Sequence, residues 1–550
     1  MTTAMSSVTA ISTARFVQSI GVNTHLGNWT VYENIGLVES SLAYLGVDTV
    51  RDGSMFSTAH AQAAYSELAS DGIKFDFFTP PGTTLSTFIS QLDAFVAAHP
   101  DSLFAVEGPN EVDIQPFSYN GSSSLSSAAA FQRALFAAVE ADSNLKDVPV
   151  YNLTLSQPNA ANYGKVGNLA SAADDANIHA YVWSGTTPNQ ILPGDMTIAR
   201  WDAAGLPVVF TEAGYDTMTS DPMSGVDQTV QAKYTLDTLL DAFKSGVAET
   251  FLYELFDEAS DPHFTNTEAH FGLFNNDGSP KLVATAIHNL TTILGDPDAS
   301  QPFTPGSLAY SLTDTSPSVS QLLFEKHDGM FDLVLWDEHV IWDPTKQKEI
   351  ASPVDGVTVN FGASHALVEV FDPLVGTNPI ATYTNVSEIQ VSLTDHPLVI
   401  EVGDGSTALQ LLSSGAIGSG SGNKTAGSPS VADTKDIPLA STANGGATVP
   451  GAQDHITPTD GHSLSTPNLP SGNTGVIDPP NGRFVFSAAA SQAGLASAAA
   501  TLADEAKLHL AAIASASHAP DLDAFLRQGP DSAHPMASHP APLDGFLFHV

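Results

Sequence analysis

Two glutamates stand where short apolar runs end: Glu111 in Val106-Glu107-Gly108-Pro109-Asn110-Glu111 and Glu212 in Val208-Val209-Phe210-Thr211-Glu212-Ala213-Gly214. If each run is a strand, each carboxyl group lies at or near a strand exit, where it can meet a ligand. Two such carboxyls facing one another are what cleavage of a glycosidic bond requires. One protonates the leaving oxygen, and the other attacks the anomeric carbon or activates water. Three βα units fit between the two positions, so parallel strands would deliver both side chains to the same end of one barrel from different sides. For Glu111 the competing reading is a helix-start charge favoured by the dipole.

The elements that would position this pair are legible in the apolar spacing. Residues 15 to about 297 alternate short apolar runs with longer amphipathic stretches, the pattern of a parallel α/β architecture. The runs are Ser19 to Asn23, Thr49 to Arg51, Lys74 to Phe78, Leu103 to Val106, Pro149 to Leu153, Ile178 to Tyr181, Pro207 to Thr211 and Thr250 to Tyr253. Between them Leu85 to Ala98, Ser124 to Ala141 and Val226 to Lys244 carry apolar residues at three-and-four spacing and predict helices. This predicts a (β/α)8 TIM barrel over residues 1–300, with functional groups at the C-terminal ends of its strands.

From 304 to 404 the spacing changes to closely set β-type runs: Gln321 to Phe324, Phe331 to Trp336, Gly356 to Phe361, Ala366 to Phe371 and Leu398 to Val402. Turn residues separate them and helix signals are missing, so an accessory β-sandwich is predicted. Residues 405–480 are rich in Gly, Ser, Thr, Pro and Asn and poor in aromatics, a composition that buries too little apolar surface to fold and predicts a disordered linker. Residues 481–550 open with an Ala-rich run from Ser487 to Ser517 of helical propensity but thin apolar face, and end in Leu543-Asp544-Gly545-Phe546-Leu547-Phe548-His549-Val550.

Composition narrows the partners. Across 550 residues, 60 acidic against 18 basic side chains give a formal charge of −42, which repels nucleic acid and anionic membranes. No run approaches the length of a membrane span, and the first 25 residues lack the charged start and apolar stretch of a cleaved signal. No cysteine is present, so no disulfide framework or thiolate metal site is expected. An acidic, cysteine-free chain with this C-terminus resembles substrates of bacterial type I secretion, which implies a secreted protein and export machinery reading the tail; a plain disordered tail and a partner-binding peptide are the alternatives. The glycine-rich calcium repeats common in that group are absent.

The dipeptide Asn110-Glu111 at the exit of the predicted fourth strand and Glu212 at the seventh resemble the acid/base and nucleophile signature of clan A retaining glycoside hydrolases. The resemblance covers residues 15 to about 297. It implies that Asn110 contacts the sugar 2-hydroxyl and that Arg51, ending the second strand, lies close to the nucleophile. A guanidinium there keeps a carboxylate ionised; the alternative for Arg51 is a surface ion pair. It further implies that His179 or Tyr181, ending the sixth strand, hydrogen-bonds the nucleophile or the sugar, with a satisfied core histidine as the alternative. After strand eight the pattern prefers a Trp, and this chain has Glu254 and Phe256 instead. A barrel followed by a β-sandwich looks most like glycoside hydrolase family 39, which includes xylosidases and bacterial exopolysaccharide hydrolases.

Trp29 and Trp183 fall in predicted loops on the catalytic side, where aromatic faces serve as sugar platforms or as ordinary packing. His25 follows strand one and is assigned no role. Asp261, His263 and His270 in the stretch Asp257 to His270 lack metal-motif spacing, so a substrate loop is expected and no metal or cofactor. The reading is a retaining glycosidase acting on an extracellular polysaccharide or oligosaccharide, with a bacterial exopolysaccharide preferred and a neutral glycan favoured by the chain's acidity. The alternatives are a non-catalytic carbohydrate-binding or matrix protein and a transglycosylase.

Overall fold

The eight parallel strands that carry the predicted site form a closed ring in the computed structural model, which describes residues 5–404 except 28, 29, 54, 55 and 57. Trp29, the linker expected at 405–480 and the tail at 481–550 lie outside the described residues.

The chain opens with β1 (Ser6–Thr9), β2 (Ile11–Ser12) and α1 (Thr13–Val17). The barrel follows as β3 (Ile20–Asn23), α2 (Ile35–Leu45), β4 (Thr49–Asp52), α3 (Ala59–Ser70), β5 (Lys74–Thr79), α4 (Leu85–Ala98), β6 (Leu103–Pro109), α5 (Leu125–Ala141), β7 (Val150–Tyr151), α6 (Ala160–Val166), β8 (Ala176–His179), α7 (Pro188–Ala199), β9 (Val208–Ala213), α8 (Gln228–Lys244), β10 (Val247–Leu252) and α9 (Leu282–Ile293). The strands run β7-β6-β5-β4-β3-β10-β9-β8. A parallel bridge between Tyr151 and Asp175 joins the two ends of that series. The helices begin where capping side chains place them: Ser124 accepts from the Ser127 amide ahead of α5, and Asp227 accepts from Val230 ahead of α8. Asn275 to Gly278 form a tight turn, with Gly278 at φ 80° and its amide on the Asn275 carbonyl.

The second sheet comprises β11 (Ser307–Thr313), β12 (Val319–Glu325), β13 (Phe331–Asp337), β16 (Asp355–Phe371), β17 (Ala381–Leu393) and β18 (Leu398–Gly403), with a small hairpin of β14 (Trp342–Asp343) and β15 (Lys348–Glu349) beside it. Two expectations are corrected here. The runs at 356–361 and 366–371 are halves of one long strand, β16, which bends at a register shift between Asn360 and His365. Its first half pairs with β11 and its second with β18, so it crosses between the two layers that enclose Leu308, Leu333, Val359, Val370, Ile389 and Ile400. The barrel boundary at residue 1 is also displaced: β1 pairs with β11 and β2 with β12, so the first strands belong to the β-domain. These two strands are too short to carry a pairing signal of their own.

The β-domain packs on α8. Phe324, Val334, Trp336, Phe371 and Val399 join the barrel's own apolar core, and Trp336 donates its indole N–H to Asp241 at 3.0 Å. Lys233 bridges Glu349 at 2.7 Å and Asp395 at 3.0 Å. For this reason Gln231, Lys233, Thr235, Asp237 and Asp241 are buried on a helix whose spacing suggests a solvated face.

Candidate active site

Strand alternation decides which side chains enter the barrel, and irregularities in two strands decide where the acids point. Val209 packs inside with Ala105, Tyr151 and Phe251, while Val208 and Phe210 pack outward against helices. Unbroken alternation would send Glu212 outward with Phe210. Instead β9 holds one extra residue against both neighbours: Ile178 pairs with Phe210 but His179 with Glu212, and Thr250 pairs with Phe210 but Leu252 with Ala213. The bulge turns Glu212 into the mouth. In β6 a similar shift falls at Gly108, since Phe78 pairs with Glu107 and Thr79 with Pro109. A Cβ on Gly108 would lie 2.0 Å from Gln132 Oε1 and 2.7 Å from the Leu153 amide nitrogen, so only glycine permits this approach.

Arg51 organises the floor of the mouth. Its Nε and Nη2 donate to the two Glu107 oxygens at 2.6 and 2.9 Å, Nη1 to Glu212 at 2.7 Å and to Asn23 at 2.9 Å, and Nη2 also to Asn110 at 2.7 Å. The ring of Phe78 lies 4.6 Å from the guanidinium carbon. At 2 % exposure Arg51 is no surface ion pair. Beneath it Asp76 is fully buried; burial, then Glu107, push it far above the ordinary carboxylate range despite Arg51. A neutral acid at that depth avoids the cost of a further buried charge.

Glu111 follows β6 in a loop well ahead of α5, which excludes the helix-start reading. Its φ of 40° is in the left-handed region that side chains rarely adopt. Thr154 Oγ1 holds it by accepting from its amide at 3.0 Å. His179 Nδ1 lies 3.0 Å from Glu111 and 3.2 Å from Glu212, and the Tyr181 hydroxyl donates to Glu212 at 2.8 Å. A carboxylate oxygen of Glu111 and one of Glu212 are within 4.8 Å of each other.

The two acids are pushed apart in acidity. Burial raises Glu111, the charge of Glu212 adds to it, and the contact with His179 only partly opposes them. Burial also works to raise Glu212, but His179, Arg51 and Tyr181 together outweigh it and hold Glu212 below its ordinary value. One protonated and one ionised carboxyl therefore coexist over a window bounded by these two values. If Glu111 must carry a proton and Glu212 must not, kcat/KM against pH is a bell. It falls on the acid side as Glu212 protonates and on the basic side as Glu111 ionises. Glu111→Gln is expected to remove the basic limb; a basic limb that persists in that variant would assign it to another group.

The remaining predicted residues divide. Glu254, following β10, is fully buried; its Oε2 accepts from Tyr32 at 2.9 Å and contacts His25 Nε2 at 3.2 Å, while Oε1 makes no hydrogen bond among the described residues. Burial pushes Glu254 up to about 7 against the opposing charge of His25. For His25 burial acts downward, and Glu254 and Glu258 overcome it to raise the imidazole to about 9. Phe256 is absorbed into the core against Tyr32 and Phe274. Trp183 is 45 % exposed on the loop after β8, at the rim rather than against the acids. Asp261 accepts from the Thr265 and Asn266 amides and contacts His270, so it knots its own loop. Beside Asn110 a recess lined by Phe78, Thr79, Pro109, Gln115 and Phe117 opens to solvent.

Two trios, Glu111-His179-Glu212 and His25-Glu254-Glu258, bring their donor atoms close enough for a metal ion. In the first, the Arg51 guanidinium already neutralises Glu212 and would repel a cation. Glu107, Asn23 and Asp76 were missed by sequence reasoning. Their signal is inward register: a charged or amide side chain inside an apolar barrel strand needs a partner there, and Arg51 is that partner for Glu107 and Asn23.

No protein-family profile matches the chain, and no curated protein does. Solved structures do. A family 39 glycoside hydrolase from Bacteroides cellulosilyticus is 15% identical, covering 72% of this chain and 82% of that one with a TM-score of 0.49. The family 39 enzyme from Xanthomonas axonopodis pv. citri is 13% identical over 72% of this chain and 95% of its own, with a TM-score of 0.50. A glucosidase from Croceicoccus marinus is 12% identical over 67% and 91%, with a TM-score of 0.46. At such identity the likeness to the Xanthomonas enzyme is one of fold: a (β/α)8 barrel with a β-domain after it.

Proposed function

We propose that this chain is a retaining glycoside hydrolase in which Glu212 is the nucleophile and Glu111 the acid/base. The observation that carries this is that His179 Nδ1 lies between the two acids, 3.0 Å from Glu111 and 3.2 Å from Glu212, with one oxygen of each within 4.8 Å of the other. Retaining enzymes separate their carboxyls by roughly 5–5.5 Å, and inverting ones leave roughly 6.5–9.5 Å for a water. In the first step Glu111 gives its proton to the glycosidic oxygen as that bond to the anomeric carbon breaks, and a Glu212 oxygen bonds to the same carbon. In the second, Glu111 takes a proton from water, whose oxygen displaces Glu212 and releases the sugar. Arg51 and Tyr181 hold Glu212 ionised and oriented. Asn110, whose oxygen is held by Arg51, is placed to turn its amide N–H toward a sugar hydroxyl.

The favoured substrate is a neutral extracellular glycan, a bacterial exopolysaccharide first. Arg51, His25 and Lys281 are each already paired with carboxylates, which leaves none of them to receive an anionic sugar. Export through residues 481–550 is part of this reading, and their deletion should retain the protein inside cells. The deciding experiment incubates the protein and its Glu212→Gln variant with bacterial exopolysaccharides, xylan and β-glucans. Mass spectrometry identifies released fragments, and NMR within minutes identifies the new anomer. Cleavage by wild type alone, with the anomer retained, is expected; an inverted anomer would sink the double displacement, and no cleavage of any glycan would favour a binding protein.

A further inference from the structure

The rim above strands six to eight displays three large apolar side chains to solvent, each on a different βα loop. Trp183 is 45 %, Met223 37 % and Phe264 54 % exposed. The loops are stitched together. Ser184 donates its amide to the Met223 carbonyl and its hydroxyl to that of Pro222, and the Thr217 amide donates to the His270 carbonyl.

Phe264 is the most deliberately placed of the three. Its backbone has φ of 52°, a conformation that a bulky residue avoids unless its surroundings impose it. Asp261 imposes it by receiving the Thr265 and Asn266 amides, the Thr265 hydroxyl and His270 Nε2. The Phe264 ring stacks on the buried His270 ring at 4.6 Å and 6°, which leaves its other face open. The next residue, Phe271, packs 5.7 Å from Tyr181, whose hydroxyl holds Glu212. A rigid aromatic face, open to water and linked through His270, Phe271 and Tyr181 to Glu212, suits the apolar C–H face of a sugar ring.

We propose that Phe264, backed by His270, is an outer sugar-stacking platform that makes the enzyme select glycan chains of several residues over single glycosides. This rests on the glycosidase reading and names the class of substrate, a polymer rather than a small glycoside. The test compares the full-length protein with F264A and F264Y in affinity gel electrophoresis through xylan, β-1,4-glucan, β-1,3-glucan and bacterial exopolysaccharide gels. For the glycan that is cleaved, kcat/KM is also measured as a ratio to that for the 4-nitrophenyl β-glycoside of the sugar released. Expected are gel retardation and a kcat/KM ratio that each fall at least fivefold in F264A and recover in F264Y. Equal retardation and an unchanged ratio in F264A would overturn the platform, as would absence of retardation of the wild type in every gel. Retardation that depends on Phe264 without any cleavage would keep the platform and remove the glycosidase.

Discussion

Replacing Glu212 with Gln lowers kcat/KM by about 10⁵-fold while the protein stays folded, the largest effect expected of any single change in this chain. An amide cannot form the glycosyl-enzyme, and no other carboxylate can take its place. Glu107 is held below by Nε and Nη2 of Arg51, and Glu254 is engaged by Tyr32 and His25. The fold survives because the amide oxygen can still accept from Arg51 at the position Glu212 Oε1 now holds, 2.7 Å away. Steady-state kinetics beside a circular-dichroism melt measures both halves of the claim. Residual activity within tenfold of wild type would transfer the nucleophile's role to another residue.

Arg51→Met should damage both stability and catalysis, with a pH signature that separates it from ordinary core loss. Truncating one partner of a buried ion pair costs roughly 3–5 kcal/mol, because the remaining charges are left without compensation. Here those are the Glu107 and Glu212 carboxylates, buried with Arg51. Glu212 has its folded value depressed, with Arg51 among the causes. Its pairing therefore stabilises the protein above its unfolded value of about 4.3 and is lost as pH falls through the lower folded one. In the variant that contribution is already missing, so the gap from wild type is full near neutrality and narrows on acidification. Urea unfolding at about pH 7 and about pH 3 measures it; an equal gap at both would show that only packing against Phe78 was lost. Catalysis should report the same change, with the acid limb of the kcat/KM profile moved upward. Arg51→Lys would restore charge but not the forked contact with Glu107.

The barrel strands, their parallel order and the two acids near strand exits were legible because each rests on local spacing. The apolar runs of the barrel are short and separated by helical periodicity, and Asn110-Glu111 stands near the end of one of them. Long-range pairing left no such mark. The strands Ser6–Thr9 and Ile11–Ser12 are defined by partners some three hundred residues later in the chain. Similarly, α8 lost its solvated face only because the β-domain covers it.

At the candidate site the same division holds at the scale of single residues. The sequence by itself determined that a guanidinium and two glutamates lie at or just past the ends of three strands of one barrel, since side-chain period and the alternation of strand and helix are local properties. Only the tertiary structure decided that Glu212 faces inward, because one extra residue in β9, recognisable only against its neighbours' register, reverses the alternation. The same packing brought Glu107 and Asn23 onto Arg51 and set His179 between the two acids. Residue types specify which groups can ionise, but acidity depends on burial and on charges a few ångströms away, and those distances are set by where distant strands meet.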